Sequence, residues 1–344
     1  MMTRSERRLQ QVRIWFFIVS PGVMVCSVIA LASTFLSEHY GGPQLLYALL
    51  VGLSFHFLKS HPQVMPGIDF CGRTVLRLGV ALLGVRITLT QVAELGVVTA
   101  VVVAFALATT VVFGVMLARW LGRSREEGLI SGGAVAICGA SAALALSSVL
   151  PQNKETERFT LLTVVGVTVL STVAMVVYPF ALGLLQLQSK QAGIFLGGTI
   201  HDVAQVVAAG LMLGTQAGDA ATVVKLFRVM LLMPVALVVA VLYRHHPLVR
   251  DDDAKVPVIP GFLLGFIILM MLSSMGWFSP SITKLATDSS RALLVVAIAA
   301  AGVKTSFDEL LRLGWTPVLM MVGETVFIAL LVLLATSGLG LGLS

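Results

Sequence analysis

Gly197-Gly198-Thr199-Ile200-His201-Asp202-Val203-Ala204-Gln205-Val206-Val207-Ala208-Ala209-Gly210 is the stretch on which the reading of this chain turns. It lies inside an apolar run, approximately 191–213, and about 20 mostly apolar residues suffice for a helix to cross a bilayer. Yet the centre of the run holds two adjacent glycines and a His-Asp pair. Glycine weakens a helix interior by about 1 kcal/mol relative to alanine, and ionisable residues inside a membrane are costly and usually functional. Thr199 followed three residues later by Asp202 has the form of a capping box, which predicts the start of a second half-helix. His201 and Gln205 are four apart and share a helical face. His201 can hold a substrate or carry a coupling proton near neutral pH. The plainer reading leaves His201 as a satisfied buried hydrogen-bonding group and Asp202 as a cap only.

Working outward, a second apolar segment is interrupted in the same way, at Ser131-Gly132-Gly133-Ala134-Val135-Ala136-Ile137-Cys138-Gly139-Ala140-Ser141. Ser141 is placed to cap a half-helix that starts after Gly139. A helix that starts in mid-membrane leaves amide groups unpaired and presents partial positive charge, a ready anion site. Irregular backbone at that depth is tolerated only inside protein or along a wet cavity. The candidate substrate-binding residues are therefore Cys138, Gly139, Ala140 and Ser141 in one segment and Thr199, His201, Asp202 and Gln205 in the other. The alternative is that the glycines only let helices pack closely.

The rest of the chain agrees with a bilayer. Of 344 residues 57% are hydrophobic and 12% charged, where a soluble domain has about 25% charged residues. Eleven candidate membrane helices follow, at approximately 14–36, 44–59, 70–89, 97–118, 128–150, 159–185, 191–213, 221–243, 260–278, 289–306 and 314–337. The expected fold class is thus all-α and polytopic, one membrane domain over 1–344 with discontinuous core helices at about 128–150 and 191–213. The first run is too long for the apolar region of a signal peptide, about 7–15 residues, and reads as a spanning helix. Three cysteines, Cys26, Cys71 and Cys138, without a CxxC pair, exclude a disulfide scaffold or a thiolate metal cage.

With the N-terminus inside, the cytoplasmic loops would hold Lys59, Arg73, Arg119, Arg123, Arg125, Lys190, Arg244, Arg250, Lys255 and Arg312, and the outside Lys154, Arg158 and Lys284. This predicts a multi-pass protein of the cytoplasmic membrane, N-terminus in and C-terminus out. The net charge of +6 reads as topology information and not as a nucleic-acid footprint.

An internal repeat is also present. Arg73 begins a run ending in Gly84-Val85-Arg86-Ile87-Thr88-Leu89; Arg291 begins one ending in Gly302-Val303-Lys304-Thr305-Ser306-Phe307. Both continue to a leucine-glycine pair, Leu95-Gly96 and Leu313-Gly314, at a constant shift. The copies are an odd number of helices apart and so lie in opposite orientations, relating about 14–118 to about 221–337. Inverted repeats are the signature of secondary transporters.

Several charges remain. Lys225 and Arg228 can attract anions or snorkel to the headgroups. Arg77 is the deepest charge of its helix, four beyond Arg73; Arg86 and Lys304 end the two repeat helices, and Arg73 and Arg86 can be interfacial anchors. Glu324 sits mid-helix with no evident partner and can titrate or pair with an arginine.

These motifs resemble the YeiH-type family of proposed sulfate exporters of bacterial inner membranes. The resemblance spans essentially the whole chain. It rests on Leu76-Arg77-Leu78-Gly79 leading to Gly84–Leu89, on Ile137-Cys138-Gly139-Ala140-Ser141-Ala142, on His201–Gly210 and on Lys225-Leu226-Phe227-Arg228-Val229-Met230. It implies similarity to transporters with the sodium/proton-antiporter fold, in which a core domain moves against a scaffold. The cation antiporters of that group carry adjacent acidic residues where this chain offers His201-Asp202, which counts against cation exchange.

The expectation is secondary transport of a small anion, sulfate or an organosulfonate such as taurine, with export favoured. Half-helix amide ends near Ser141 and Thr199 would hold the oxyanion, His201 and Gln205 would donate to it, and Arg77 would supply charge. A proton or sodium ion can be coupled, and a homodimer can form; no cofactor, metal or nucleic acid is called for. The alternatives are a cation/proton exchanger with Asp202 as titrating ligand, an intramembrane enzyme built on Cys138, His201 and Asp202, and a channel or sensor.

Overall fold

The computed structural model describes residues 4–41, 43–151, 154–243, 261–305 and 315–338. The repeat residues Ser306, Phe307 and Leu313-Gly314, and the loop cations Arg244, Arg250, Lys255 and Arg312, lie outside the described residues. In chain order the helices are α1 (Arg4–Tyr40), α2 (Gln44–Ser54), α3 (Met65–Phe70), which continues through a π-helical turn at Cys71–Val75 into α4 (Leu76–Leu83), α5 (Leu89–Glu94) and α6 (Gly96–Trp120). Then come α7 (Arg125–Ala136), α8 (Ala140–Val149), α9 (Lys154–Leu184), α10 (Ser189–Thr199) and α11 (Val203–Met212). The last are α12 (Thr215–Met230), α13 (Leu232–Tyr243), α14 (Gly261–Ser274), α15 (Pro280–Lys304) and α16 (Trp315–Gly338).

Among the described residues, six stretches have the length and apolarity to cross a bilayer: Trp15–Tyr40, Gly96–Trp120, Glu155–Leu184, Thr215–Tyr243, Pro280–Lys304 and Trp315–Gly338. Along α6 the exposed side chains include Val97, Val101, Phe105, Val112 and Met116, at steps of four or seven residues. That is one apolar helix face left bare, too extensive for a water-facing surface. The protein is a polytopic all-α membrane protein.

The chain divides into two compact units, Met1–Arg86 with Gly265–Ser306, and Ile87–Leu264 with Phe307–Ser344. In the first unit the two repeat helices pack antiparallel: Gly79 meets Leu293 and Leu294, while Gly72, earlier in its helix, meets Ala300 and Lys304, later in theirs. The 218-residue step from Arg73 to Arg291 also carries α2 onto α14. Gly302 presses on Leu49 and Gly52 of α2, and its counterpart Gly84 presses on Phe266 of α14. His56 Nδ1 donates to the Val303 carbonyl (3.0 Å), and Ser273 Oγ to the carbonyl of Val85, the residue matching Val303 (2.6 Å).

In the second unit the two interrupted segments do not cross. A straight run from Gly133 to Leu146 would separate them by about 20 Å at 1.5 Å per residue, but Leu146 packs directly on Gly133. α8 therefore runs back along α7, and α9 starts where α7 started: the Arg123 guanidinium lies 5.6 Å from the Phe159 ring centre. Likewise Gly193, early in α10, meets Ala217 and Ala220 of α12, and Gly210, late in α11, meets Ala217, Gly218 and Ala221 of the same helix. The segments at 128–150 and 191–213 are thus re-entrant hairpins. Arms of 10 to 12 residues reach only about half of a 30 Å hydrocarbon layer.

The hairpins enter from opposite ends. α9 begins beside the mouth of the first hairpin, bonds the tip of the second through Ser171, and further on sets Tyr178 against Phe195 of α10, ring centres 5.2 Å apart. α12 and α13 return the other way, ending where Tyr243 donates to Glu126 at the start of α7 (3.2 Å). One expectation changes accordingly. Arg158, expected opposite Arg123, lines the same cavity of about 250 Å³ with Arg123, Glu127, Phe159 and Trp315; Lys154 begins α9 at that end and Lys190 begins α10 at the other. Two crossings fewer leave the repeat copies an odd number apart, in keeping with their antiparallel packing.

Candidate functional site

The hairpin tips meet in the middle of the second unit. A helix end leaves its last carbonyls unpaired and carries about half a negative charge. Two such ends, of α7 and α10, come together here, and α12 supplies both counter-charges. Lys225 Nζ donates to the carbonyls of Ile137 (2.7 Å) and Ile200 (2.9 Å). Arg228 donates from Nε to Ala136 (2.9 Å), from Nη2 to Val135 (2.8 Å), and from Nη1 to Gly197 (3.0 Å) and Ile200 (3.1 Å). Both side chains are fully buried, which rules out the snorkelling expected as one of their alternatives. Each cation bridges both tips, one side chain doing for two helix ends what separate caps would do.

The opposite poles, the amide ends of α8 and α11, are treated unequally. Asp202 is itself the N-cap of α11, its Oδ1 accepting from the Ala204 N–H (2.8 Å) while its own N–H donates to Ser171 Oγ (3.0 Å). The expected capping box does not form. Ile200, His201 and Asp202 separate the two arms, so Thr199 ends α10 and its hydroxyl donates back to the Phe195 carbonyl (2.7 Å). The α8 end has no side-chain cap: its N-cap is Gly139 at φ +64°, a conformation that favours glycine. Ser141, expected as the cap, lies past that position in the first turn and is exposed, with Ala140 half-buried before it.

His201 is fully buried. Nδ1 lies 3.2 Å from the Val135 carbonyl and Nε2 3.0 Å from Thr325 Oγ1. A carbonyl only accepts, so Nδ1 donates to Val135, and Nε2 shares a hydrogen bond with the Thr325 hydroxyl, which also reaches the Met321 carbonyl (2.7 Å). Both nitrogens are therefore occupied by the protein, as in the plainer reading. Gln205 donates to Thr172 Oγ1 (2.8 Å), and its buried Oε1 has no partner. Cys138 packs in an apolar cluster with Leu107, Ala142, Val229 and Leu232. Glu324 on α16 accepts from Ser131 of α7 at Oε1 (2.7 Å), the partner that sequence could not supply.

The second unit thus gathers Cys138–Ser141, Thr199–Gln205, Lys225, Arg228 and Glu324, whereas Arg77, Arg86 and Lys304 belong to the first unit. There Arg77 is exposed and Lys304 pairs with Asp69. Ser171, Thr172 and Thr325 were not singled out from sequence. The adjacent hydroxyls Ser171-Thr172 in an apolar helix were the available signal. For the hairpins it was a shared Gly-x-x-x-Gly-Gly, at Gly128-Gly132-Gly133 and at Gly193-Gly197-Gly198.

Paired half-membrane hairpins, entering from opposite ends and clamped by buried cations, define a multi-pass helical membrane protein with a re-entrant core. The chain belongs to the UPF0324 membrane protein family: the family description Conserved hypothetical protein 698 matches residues 21–321. It is 46% identical over 328 residues to a UPF0324 membrane protein of Chlorobaculum tepidum, covering 95% of this chain and 91% of the relative. It is 45% identical over 322 residues to the UPF0324 membrane protein TauZ of Paracoccus denitrificans (93% and 95% covered). A UPF0324 membrane protein of Rhizobium meliloti is 43% identical over 340 residues, with 98% and 99% covered. No solved structure matches.

Proposed function

We propose that this protein is a secondary transporter of the bacterial cytoplasmic membrane that exports a small anion, sulfate or an organosulfonate such as taurine. The observation that carries the reading is the uneven treatment of the four helix ends at the tips. Lys225 and Arg228 satisfy both carbonyl ends, Asp202 caps the amide end of α11, and the amide end of α8 starts at Gly139 without a side-chain cap. An oxyanion supplies the acceptor that is missing. Ser141 and the backbone of Gly139 and Ala140 then form the seat, with Thr199, His201 and Gln205 behind it. The taurine-related name TauZ, carried by relatives in Paracoccus denitrificans and Paracoccus pantotrophus, supports the organosulfonate.

Hairpins that enter from opposite ends give each side of the membrane its own gate. The membrane potential sets the direction: each charge moved across 100 mV is worth about 2.3 kcal/mol, so an anion gains by leaving a negative interior. One observation favours a second reading, cation/proton exchange. The unpartnered Oε1 of Gln205 lies one helical turn from Asp202, and oxygen ligands suit sodium. Against an enzyme, neither His201 nitrogen bonds Cys138.

The test is thermal stabilisation of the purified protein by sulfate, sulfite, thiosulfate and taurine, repeated with Ser141→Asp. That exposed position tolerates the substitution, and the new carboxylate occupies the α8 amide end. At least one of these anions should raise the melting temperature of the wild type and fail with the variant. Stabilisation by sodium alone, equal in both proteins, would replace the anion reading with the cation one.

A further inference from the structure

Glu324 is the most conspicuous ionisable group that the anion seat does not use. It is fully buried in the middle of α16, its Oε1 accepts from Ser131, and its Oε2 is buried without a partner. No basic side chain among the described residues pairs with it. The helices packed on α16 are α6, α7, α9 and α10. From α6 the first charged group is Arg119, in its last turn; from α7 it is Glu127, one turn before Ser131 and already paired with Arg123 (2.8 Å). α9 brings Glu155, Glu157 and Arg158 only at its start, and α10 brings Lys190 at its start and His201 just beyond its end. Lys225 and Arg228 of α12 are bonded to the tip carbonyls.

The seam is closely packed on the Oε1 side. A Cβ added at Gly114 of α6 would lie 2.8 Å from Glu324 Oε1 and equally close to Gly128 and Gly132 of α7. A carboxylate here would be a buried charge without a counter-ion in the membrane interior, which is costly. A neutral carboxyl fits. The neighbouring residue shows what the site controls: Thr325 bonds His201 at the second tip, while Glu324 holds α7 of the first hairpin.

We infer that Glu324 is a proton-binding site: with the proton on, the first hairpin is seated against α6 and α16, and with it off, α7 separates to let water reach the carboxylate. This deepens the transport reading by naming the ion that governs the first hairpin, and rests on it only in treating the hairpin as a gate. At low pH the hairpin is closed; as pH rises through the carboxyl's own titration it loosens.

Infrared difference spectra of the full-length protein, titrated with pH, should contain a carboxylic C=O band. That band is lost in Glu324→Gln and kept in Glu127→Gln. Should Glu324→Gln not fold, Ser131→Ala serves instead, because loss of its hydroxyl shifts the band. Below the midpoint, amide exchange at 126–136 should rise about tenfold per pH unit beyond the base-catalysed rise seen in α10, one proton being lost per opening, and this excess should level off above it. In Glu324→Gln it should follow α10. A band unchanged in both variants, or α7 exchange that tracks α10 in the wild type, overturns the inference. Neither readout uses a solute, so failure here and failure of the anion seat are told apart.

Discussion

Arg228 donates to four carbonyl oxygens drawn from two hairpins, and Lys225 adds a second bridge between the same tips. A planar fork can serve several acceptors at fixed angles where an ammonium is a point charge. Arg228→Lys keeps the charge and should still cost about 3 kcal/mol, because several buried carbonyls lose their donor. Unfolding of the detergent-solubilised protein measures it, and a loss below that of a conservative surface change would deny the clamp. At this scale the donors were legible in sequence and their purpose was not. Lys225 and Arg228 stand out in an apolar helix, but their acceptors are backbone atoms that become unpaired only once α7 and α10 end beside them.

At the scale of elements, the interruptions at Ile137–Gly139 and Ile200–Asp202 were legible from glycines and the His-Asp pair. The reversal was not. An apolar run with a central break can cross once or enter and return, and the choice rests on contacts such as Gly133 with Leu146 that no local pattern encodes. Cysteine labelling decides it. In a background without Cys26, Cys71 and Cys138, Trp120→Cys and Ser148→Cys should react from one side and Leu185→Cys from the other; a crossing segment would separate the first two. The seam behind the hairpin is equally exacting. A methyl on Gly128 would lie 2.7 Å from the Gly114 carbonyl and the Val115 Cα, both backbone. Gly128→Ala should therefore destabilise by about 1–3 kcal/mol in the same unfolding assay, against the gain alanine normally brings to a helix.

For the molecule as a whole, the membrane class, the helical segments and the antiparallel pairing of the helices that begin near Arg73 and Arg291 followed from composition, run length and a constant shift. They depend on the chain's own periodicity and not on which hairpin touches which. The sides of the loops needed the hairpins. With α7–α8 returning, Arg119, Arg123, Arg125 and Arg158 share one end of the second unit, and Lys190 marks the other. Short loops rich in Lys and Arg face the cytoplasm. Ser148→Cys should accordingly react in inverted vesicles and stay silent in intact cells, and the reverse result would invert the orientation.

The clamp also bears on how the chain is made. The Lys225 ammonium lies 88 residues downstream of the Ile137 carbonyl it satisfies, and Arg228 lies 92 beyond Ala136. At about 5–20 residues per second, a ribosome needs several seconds to deliver them after the first hairpin has emerged. Through that interval the tip carbonyls have only water as partner, so the young hairpin must wait at the membrane surface. It can sink to its final depth only when α12 arrives.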